Sequence, residues 1–162
     1  MQNFTRSAVV CLAVGSSEIE RCTFMDIGGT AVLLSAPTRG TGLTPNHIAR
    51  SQLAVDLAAA PDCGVLFNEI RDCHAGVRSK GASDARLIGN QLLGIKENGI
   101  ELLANTTQHE VSSNELDGIG AIAIILSGSG HRVKGNEITG SKSPAVEVRE
   151  GKHHLEPPHD AA

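Results

Sequence analysis

Aliphatic residues recur along this chain in a fixed frame around single polar positions. The octets VSSNELDG (111–118) and VKGNEITG (133–140) each carry a valine, two further residues, asparagine, glutamate and an aliphatic, 22 positions apart. Extended in both directions, the frame places asparagine at Asn46, Asn68, Asn90, Asn114 and Asn136, with Ser17 as a first member 29 positions before Asn46. Three residues before each stands an aliphatic: Val14, Leu43, Val65, Leu87, Val111 and Val133. Two residues after each stands another: Ile19, Ile48, Ile70, Leu92, Leu116 and Ile138. A third block, small–aliphatic–any–aliphatic, completes the unit as AVLL from Ala31, AVDL from Ala54, GVRS from Gly76, GIEL from Gly99, AIIL from Ala123 and AVEV from Ala145.

Alternation of apolar and other residues within each block is the period of a strand with one buried face, and no stretch sustains a 3.6-residue period. Three short strands and three bends in about 22 residues make one turn of a parallel β-solenoid whose turns stack at about 4.8 Å. The pattern therefore predicts an all-β solenoid of about six turns in one domain over residues 1–155, with 156–162 as a tail. Leu155, 22 positions after Val133, opens a seventh turn that Pro157 and Pro158 halt, because proline cannot donate to a ladder. Asparagine is expected in the bend for its tolerance of the left-handed backbone region, and stacked asparagines form a hydrogen-bonded ladder. The first strand, within SAVVCLAV, has no amphipathic segment to cover it. Solenoid ends need caps, so the chain is expected either to be a segment of a longer helix or to associate with another chain, such as a second copy, at its N-terminal end.

Composition narrows the picture. The sequence has no tryptophan or tyrosine, three phenylalanines and 18 glycines, so the core falls to valine, isoleucine, leucine and alanine. A net charge of −4 with mixed signs argues against a nucleic-acid partner. No apolar run reaches the length of a membrane span. The AVVCLAV run carries repeat register and is read as structure rather than as a signal peptide.

Asn46, Asn68, Asn90, Asn114 and Asn136, in frames such as VKGNEI and VSSNEL, make the chain resemble the right-handed parallel β-helix proteins of the pectate-lyase-like superfamily over roughly residues 12–155. The resemblance implies a right-handed helix and a secreted or cell-surface location, although no signal peptide is evident. It also implies a polysaccharide cleft on the face of one sheet. Lyases and epimerases of this superfamily abstract the proton beside a uronate carboxylate, which calcium or a positive side chain neutralises. The paired aspartates and Gly-His-Gly of the polygalacturonase branch are absent, as are the aromatic platforms common in sugar grooves.

Aligned by the repeat, the outward third position of the small–aliphatic block reads Leu33, Asp56, Arg78, Glu101, Ile125 and Glu147, with Lys80 two residues beyond Arg78. On the family pattern, Arg78 and Lys80 are the candidate base and neutralising cation. Asp56 and Glu101 are the candidate substrate and calcium ligands, and Arg71 and His74, in the preceding bend with Asp72, would border the site. The same alternation of charge also reads as a ladder that only keeps the sheet soluble. Two functions follow. One is a lyase- or epimerase-like protein acting on or binding an acidic, uronate-containing polysaccharide. The other is a non-catalytic structural or glycan-binding module within a larger or oligomeric helix.

Three further features need placing. Cys22 and Cys73 fall in one inward column with Ser51, Ile95 and Ile119, too far apart for a disulfide, and with Cys11 and Cys63 read as four buried, reduced thiols. His109, His131 and His153 recur every 22 residues and should stack ring on ring, a metal site being the alternative. The long first unit leaves RCTFMDIGGT as an insertion holding Phe24 and Met25, fit to wall a groove or cover the end of the stack.

Overall fold

The computed structural model of the protein describes residues 7–12, 15–142 and 144–158. Val14 of the repeat frame lies outside them. Among the described residues every regular element is a strand, and no helix is long and apolar enough to cross a membrane.

Three parallel sheets run the length of the molecule, of seven, seven and six strands. The first holds Val9–Leu12, Thr30–Ser35, Leu53–Ala58, Ala75–Lys80, Ile100–Leu102, Ile124–Leu126 and Val146–Val148. The second runs from Glu18–Ile19 through Gly42–Leu43, Gly64–Leu66, Arg86–Ile88, Glu110–Ser112 and Arg132–Lys134 to His154–Leu155. The third comprises Thr23–Met25, His47–Ala49, Glu69–Arg71, Gln91–Leu93, Glu115–Asp117 and Glu137–Thr139. The chain visits the sheets in that order, so each coil gives one strand to each. Val9 pairs with Val32, Val55 with Val77 and Ile100 with Ile124, steps of 23, 22 and 24 residues. The expected solenoid is the observed fold. Leu155 pairs with Val133 as the seventh-turn reading requires, and no strand follows it among the described residues.

Inward side chains are aliphatic in every coil: Leu34, Leu57, Ile100 and Leu102 from the first sheet, Leu43, Val65, Leu87 and Val111 from the second, and Ile48, Ile70, Leu92 and Leu116 from the third. All are fully buried. A leucine or isoleucine placed this way contributes about 2 kcal/mol of hydrophobic stabilisation. Aromatic residues are not required, because the interior is only as wide as two or three aliphatic side chains.

The bend between the second and third sheets carries the asparagines. Each Oδ1 accepts the backbone N–H of the asparagine one coil earlier: Asn46 to Asn68 at 2.9 Å, Asn68 to Asn90 at 3.0 Å, Asn90 to Asn114 at 2.9 Å and Asn114 to Asn136 at 3.0 Å. Each Nδ2 donates to a carbonyl of the preceding coil, as Asn90 does to Val65 at 2.7 Å and Asn136 to Val111 at 2.9 Å. These residues are almost completely buried. One expectation is corrected. The asparagines are not in the left-handed region; the residue before four of the five bears that strain, at Phe67, Gly89, Ser113 and Gly135, while Pro45 precedes Asn46. The side-chain amide is selected for hydrogen bonding, and backbone tolerance is supplied next door.

The first coil also differs from the reading. Ile19 pairs with Leu43 in the second sheet, and Phe24, not Ile19, pairs with Ile48 in the third. Cys22 therefore holds the ladder position, its N–H donating to Asn46 Oδ1 at 2.9 Å. At that position the backbone N–H alone joins the ladder, a role that does not require asparagine. RCTFMDIGGT is consequently no insertion: it supplies the strand Thr23–Met25, with Phe24 packed in the core. Ile27, not Cys22, joins the inward column of Ser51, Cys73, Ile95 and Ile119. All four cysteines are free, as expected, but only Cys63 and Cys73 are buried, while Cys11 is half-buried and Cys22 exposed. Desolvation raises the pKa of both buried thiols, which keeps them protonated and unreactive.

Replacing Asn90 with alanine strands the Asn68 N–H and the Val65 carbonyl in the interior, at a cost of about 3 kcal/mol. Urea unfolding of Asn90→Ala should show that loss. A loss no larger than that of an exposed substitution such as Gln91→Ala would remove the ladder from the account of stability.

Candidate functional site

Strand alternation turns one face of the first sheet outward, and there the charged column stands in its expected register. Leu33, Asp56, Arg78, Glu101, Ile125 and Glu147 are cross-strand partners in succession. Arg78 donates from Nη2 to Asp56 Oδ2 at 2.5 Å and from Nε to Oδ1 at 3.5 Å, a fork spanning one rung. The hydrogen bond to Asp56 raises the Arg78 pKa, so Arg78 is a fixed cation, suited to neutralising an anion and unsuited to taking a proton. Glu101 accepts from Asn98 Nδ2 at 2.6 Å. Lys80 is exposed at the end of the same strand.

Beside this face, the bend from the third sheet into the first opens a groove. Its left-handed positions run Asp26, Arg50, Asp72, Gly94, Gly118 and Gly140, one per coil. Side chains stand on the first three rungs and are missing from the next three. A cavity of about 480 Å³ is lined by Asp26, Arg50, Gln52, Asp72, His74 and Lys96 among others. A second, of about 250 Å³, shares Gln52 and His74 with it and reaches Arg78, Glu97 and Glu101. The two form one groove crossing the coils, with His74 at their junction.

Electrostatics divide its residues into engaged and available groups. Arg50 grips Asp26 with two hydrogen bonds of 2.7 and 2.9 Å, and this bond lowers the Asp26 pKa. His74 Nε2 lies 3.1 Å from Glu97 Oε1. Lys96 and Lys80 form no ion pair among the described residues. The groove thus presents an imidazole facing a carboxylate, a held guanidinium, and an ammonium with no ion pair among the described residues.

Calcium does not fit at Asp56 and Glu101. It needs several converging oxygens, whereas Asp56 is taken by Arg78 and Glu101 by Asn98. No group of three His, Cys, Asp or Glu residues suited to a metal occurs among the described residues.

The structure brings Asp56, Arg78, Glu101 and His74 together and leaves Lys80 at the far end of its strand, lining neither cavity. Arg71 is elsewhere: it lies on the third sheet and pairs with Glu69 of its own strand. Sequence reasoning missed Asp26, Arg50, Gln52, Lys96 and Glu97. The signal for the first two was present, since Gly94, Gly118 and Gly140 recur four residues after successive asparagines and the same offset from Asn46 and from Cys22 gives Arg50 and Asp26.

The sequence matches the family described as right handed beta helix region over residues 7–157. Comparison with curated proteins finds no match. Among solved structures the fold is similar to that of a mutant of the periplasmic alginate epimerase AlgG, with a TM-score of 0.71 and 16% sequence identity. That match covers 90% of this chain and 42% of the other, so the chain spans less than half of that protein's length.

On the bend between the first and second sheets, the histidine column packs ring on ring. Ring centroids are 5.1 Å apart for His109 and His131, tilted by 49°, and 5.0 Å apart for His131 and His153, stacked. His131 accepts the His109 backbone N–H at Nδ1 (3.0 Å) and donates from Nε2 to the Ser127 carbonyl (2.9 Å). That network assigns it a neutral ring with the proton on Nε2. His109 Nε2 lies 2.8 Å from Ser79 Oγ. Burial, with the neighbouring His131, pushes the His109 pKa down from 6.5 to about 4. An unfolded chain takes up this proton near pH 6.5 and the folded chain only near pH 4, so stability is full above that range and falls as pH drops through it. The loss should reach about 2 kcal/mol by pH 5. Urea midpoints at pH 7 and pH 5 test this: His109→Asn should start less stable yet lose less on acidification. Equal losses in the two proteins would contradict it.

Proposed function

Because the chain belongs to the right-handed β-helix family, we propose that it is a carbohydrate-active protein whose groove takes an acidic, uronate-containing polysaccharide, in the manner of a lyase or epimerase. The observation that carries this reading is His74, whose Nε2 lies 3.1 Å from Glu97 Oε1, at the junction of a groove that also holds Arg78 and Lys96. The fold shared with an alginate epimerase supports the substrate class.

The chemistry follows from those groups. Arg78, held cationic by Asp56, and Lys96 offset the charge of a uronate carboxylate. In the tautomer that carries its proton on Nε2, toward Glu97, His74 has a lone pair on Nδ1 that can accept the proton from the carbon beside that carboxylate. The electron pair left behind moves into the carboxylate as an enolate, which the two cations stabilise. Expulsion of the glycosidic oxygen from the neighbouring carbon then gives elimination. Return of a proton to the opposite face gives epimerisation. Lys80, at the end of the same sheet face, is placed for a neighbouring uronate of the chain. No step requires calcium.

A second reading rests on a specific observation: no aromatic side chain lines either cavity. A polar groove without a stacking platform also suits a non-catalytic module that binds the polysaccharide or serves within a larger assembly.

Incubation with polymannuronate, polyguluronate and polygalacturonate separates the two. Ultraviolet absorbance reads elimination, and proton NMR reads epimerisation. Turnover by the wild type should fall about 100-fold or more in His74→Ala with polysaccharide binding retained, whereas Lys96→Ala should weaken binding itself. Binding without turnover in the wild type would assign the module reading. Turnover that survives His74→Ala would displace the imidazole from its role.

A further inference from the structure

Away from this groove, Phe67 departs from the rest of its column. It holds the left-handed bend position that Gly89, Ser113 and Gly135 occupy on later coils, at φ 55°. A bulky side chain is disfavoured there, and packing does not compensate, because Phe67 is 62% exposed. Its ring instead lies across the next coil: a Cβ placed on Gly89 would come within 2.5 Å of ring Cδ1. Glycine at 89 makes room for the ring and backs it, leaving most of its surface open to solvent.

From Gly89 a groove of about 280 Å³ continues along the helix axis, lined by Gly89, Gln91, Ser113, Glu115, Gly135 and Glu137 with the ladder asparagines beneath. Its floor on three successive coils is glycine, serine and glycine. One wall is the cross-strand column of Gln91, Glu115 and Glu137, in which Gln91 Nε2 donates to Glu115 Oε2 at 2.9 Å. No cationic residue lines it.

We propose that Phe67 and this groove form a binding site for a glycan of uncharged pyranose residues. The apolar C–H face of a pyranose stacks on the Phe67 ring, and the hydroxyls of following residues donate to the Glu115 and Glu137 carboxylates and the Gln91 amide oxygen. Pitch favours a glycan over a peptide. Rungs repeat at about 4.8 Å, whereas same-side residues of an extended peptide repeat at roughly 6.6 to 6.8 Å. One extended pyranose residue is close to one rung in length. The unneutralised carboxylates repel a uronate chain, so this site has the opposite ligand preference to the His74 groove and does not rest on the reading of that groove. The left-handed strain and exposed ring at Phe67 are costs of the kind that structures retain at binding positions.

NMR titration of the wild type, Phe67→Gly and Phe67→Tyr with cellohexaose, hexamannuronate and hexalysine tests the proposal. Cellohexaose should bind the wild type and Phe67→Tyr, shifting the signals of Gly89, Ser113 and Glu115. Phe67→Gly should bind at least about tenfold more weakly while unfolding at higher urea, since glycine relieves the left-handed position. No cellohexaose binding by the wild type, unchanged affinity in Phe67→Gly, or preferential binding of hexamannuronate or hexalysine at these residues would each overturn it.

Discussion

Buried side-chain amides stacked at one bend hold this molecule in register. A parallel solenoid must satisfy the backbone of three bends per coil without water, and the bend between the second and third sheets turns too sharply for strand pairing alone. Asparagine solves this by both accepting from and donating to the coil before it. Its Oδ1 receives the N–H of the coil before, and its Nδ2 reaches a carbonyl of that same coil, as at Asn90, Asn114 and Asn136. The link repeats from Cys22 to Asn136 and sets the phase in which every other column stacks.

Once that phase is fixed, function depends on departures from it. The same bend offset gives Asp26, Arg50 and Asp72 and then three glycines, so side chains border the groove on one half of the helix and leave it open on the other. The register that keeps aliphatic residues inside also places Asp56, Arg78 and Glu101 on consecutive rungs. Burial of Asp56 under the Arg78 fork makes that guanidinium a fixed positive charge in a cavity it shares with His74, whose Nε2 lies 3.1 Å from Glu97 Oε1. The histidine column is a counterpart in the interior. It repeats the ladder with rings in place of amides, and desolvation keeps His109 and His131 neutral.

Much of this was legible from spacing. The coil length, the three strand blocks, the charged column and the histidine stack all follow from counting between asparagines. What failed did so for local reasons. Coil one reads differently in the sequence because its ladder residue is cysteine, which joins the ladder through its backbone N–H alone, so Ser17 looks like the better match. The left-handed residue was assigned to asparagine itself because both tasks occur within two positions. Arg71 and His74 look like neighbours because they lie three residues apart, yet Arg71 ends a strand of the third sheet while His74 stands in the bend that follows, lining the groove. Lys96 and Glu97 were overlooked because they follow a leucine-rich strand and join His74 only through stacking of the next coil.

Amide hydrogen exchange tests the role of the ladder most directly. The N–H groups of Asn46, Asn68, Asn90 and Asn114 donate to side chains rather than to backbone, so ordinary pairing rules do not predict strong protection for them. If the ladder holds the coils in phase, these four amides should exchange only through global unfolding, at the rate of core amides such as Val77 and Ile100. Exchange through local opening, as fast as that of amides in the exposed bends, would show that the sheets alone hold the helix and that the asparagines are passengers.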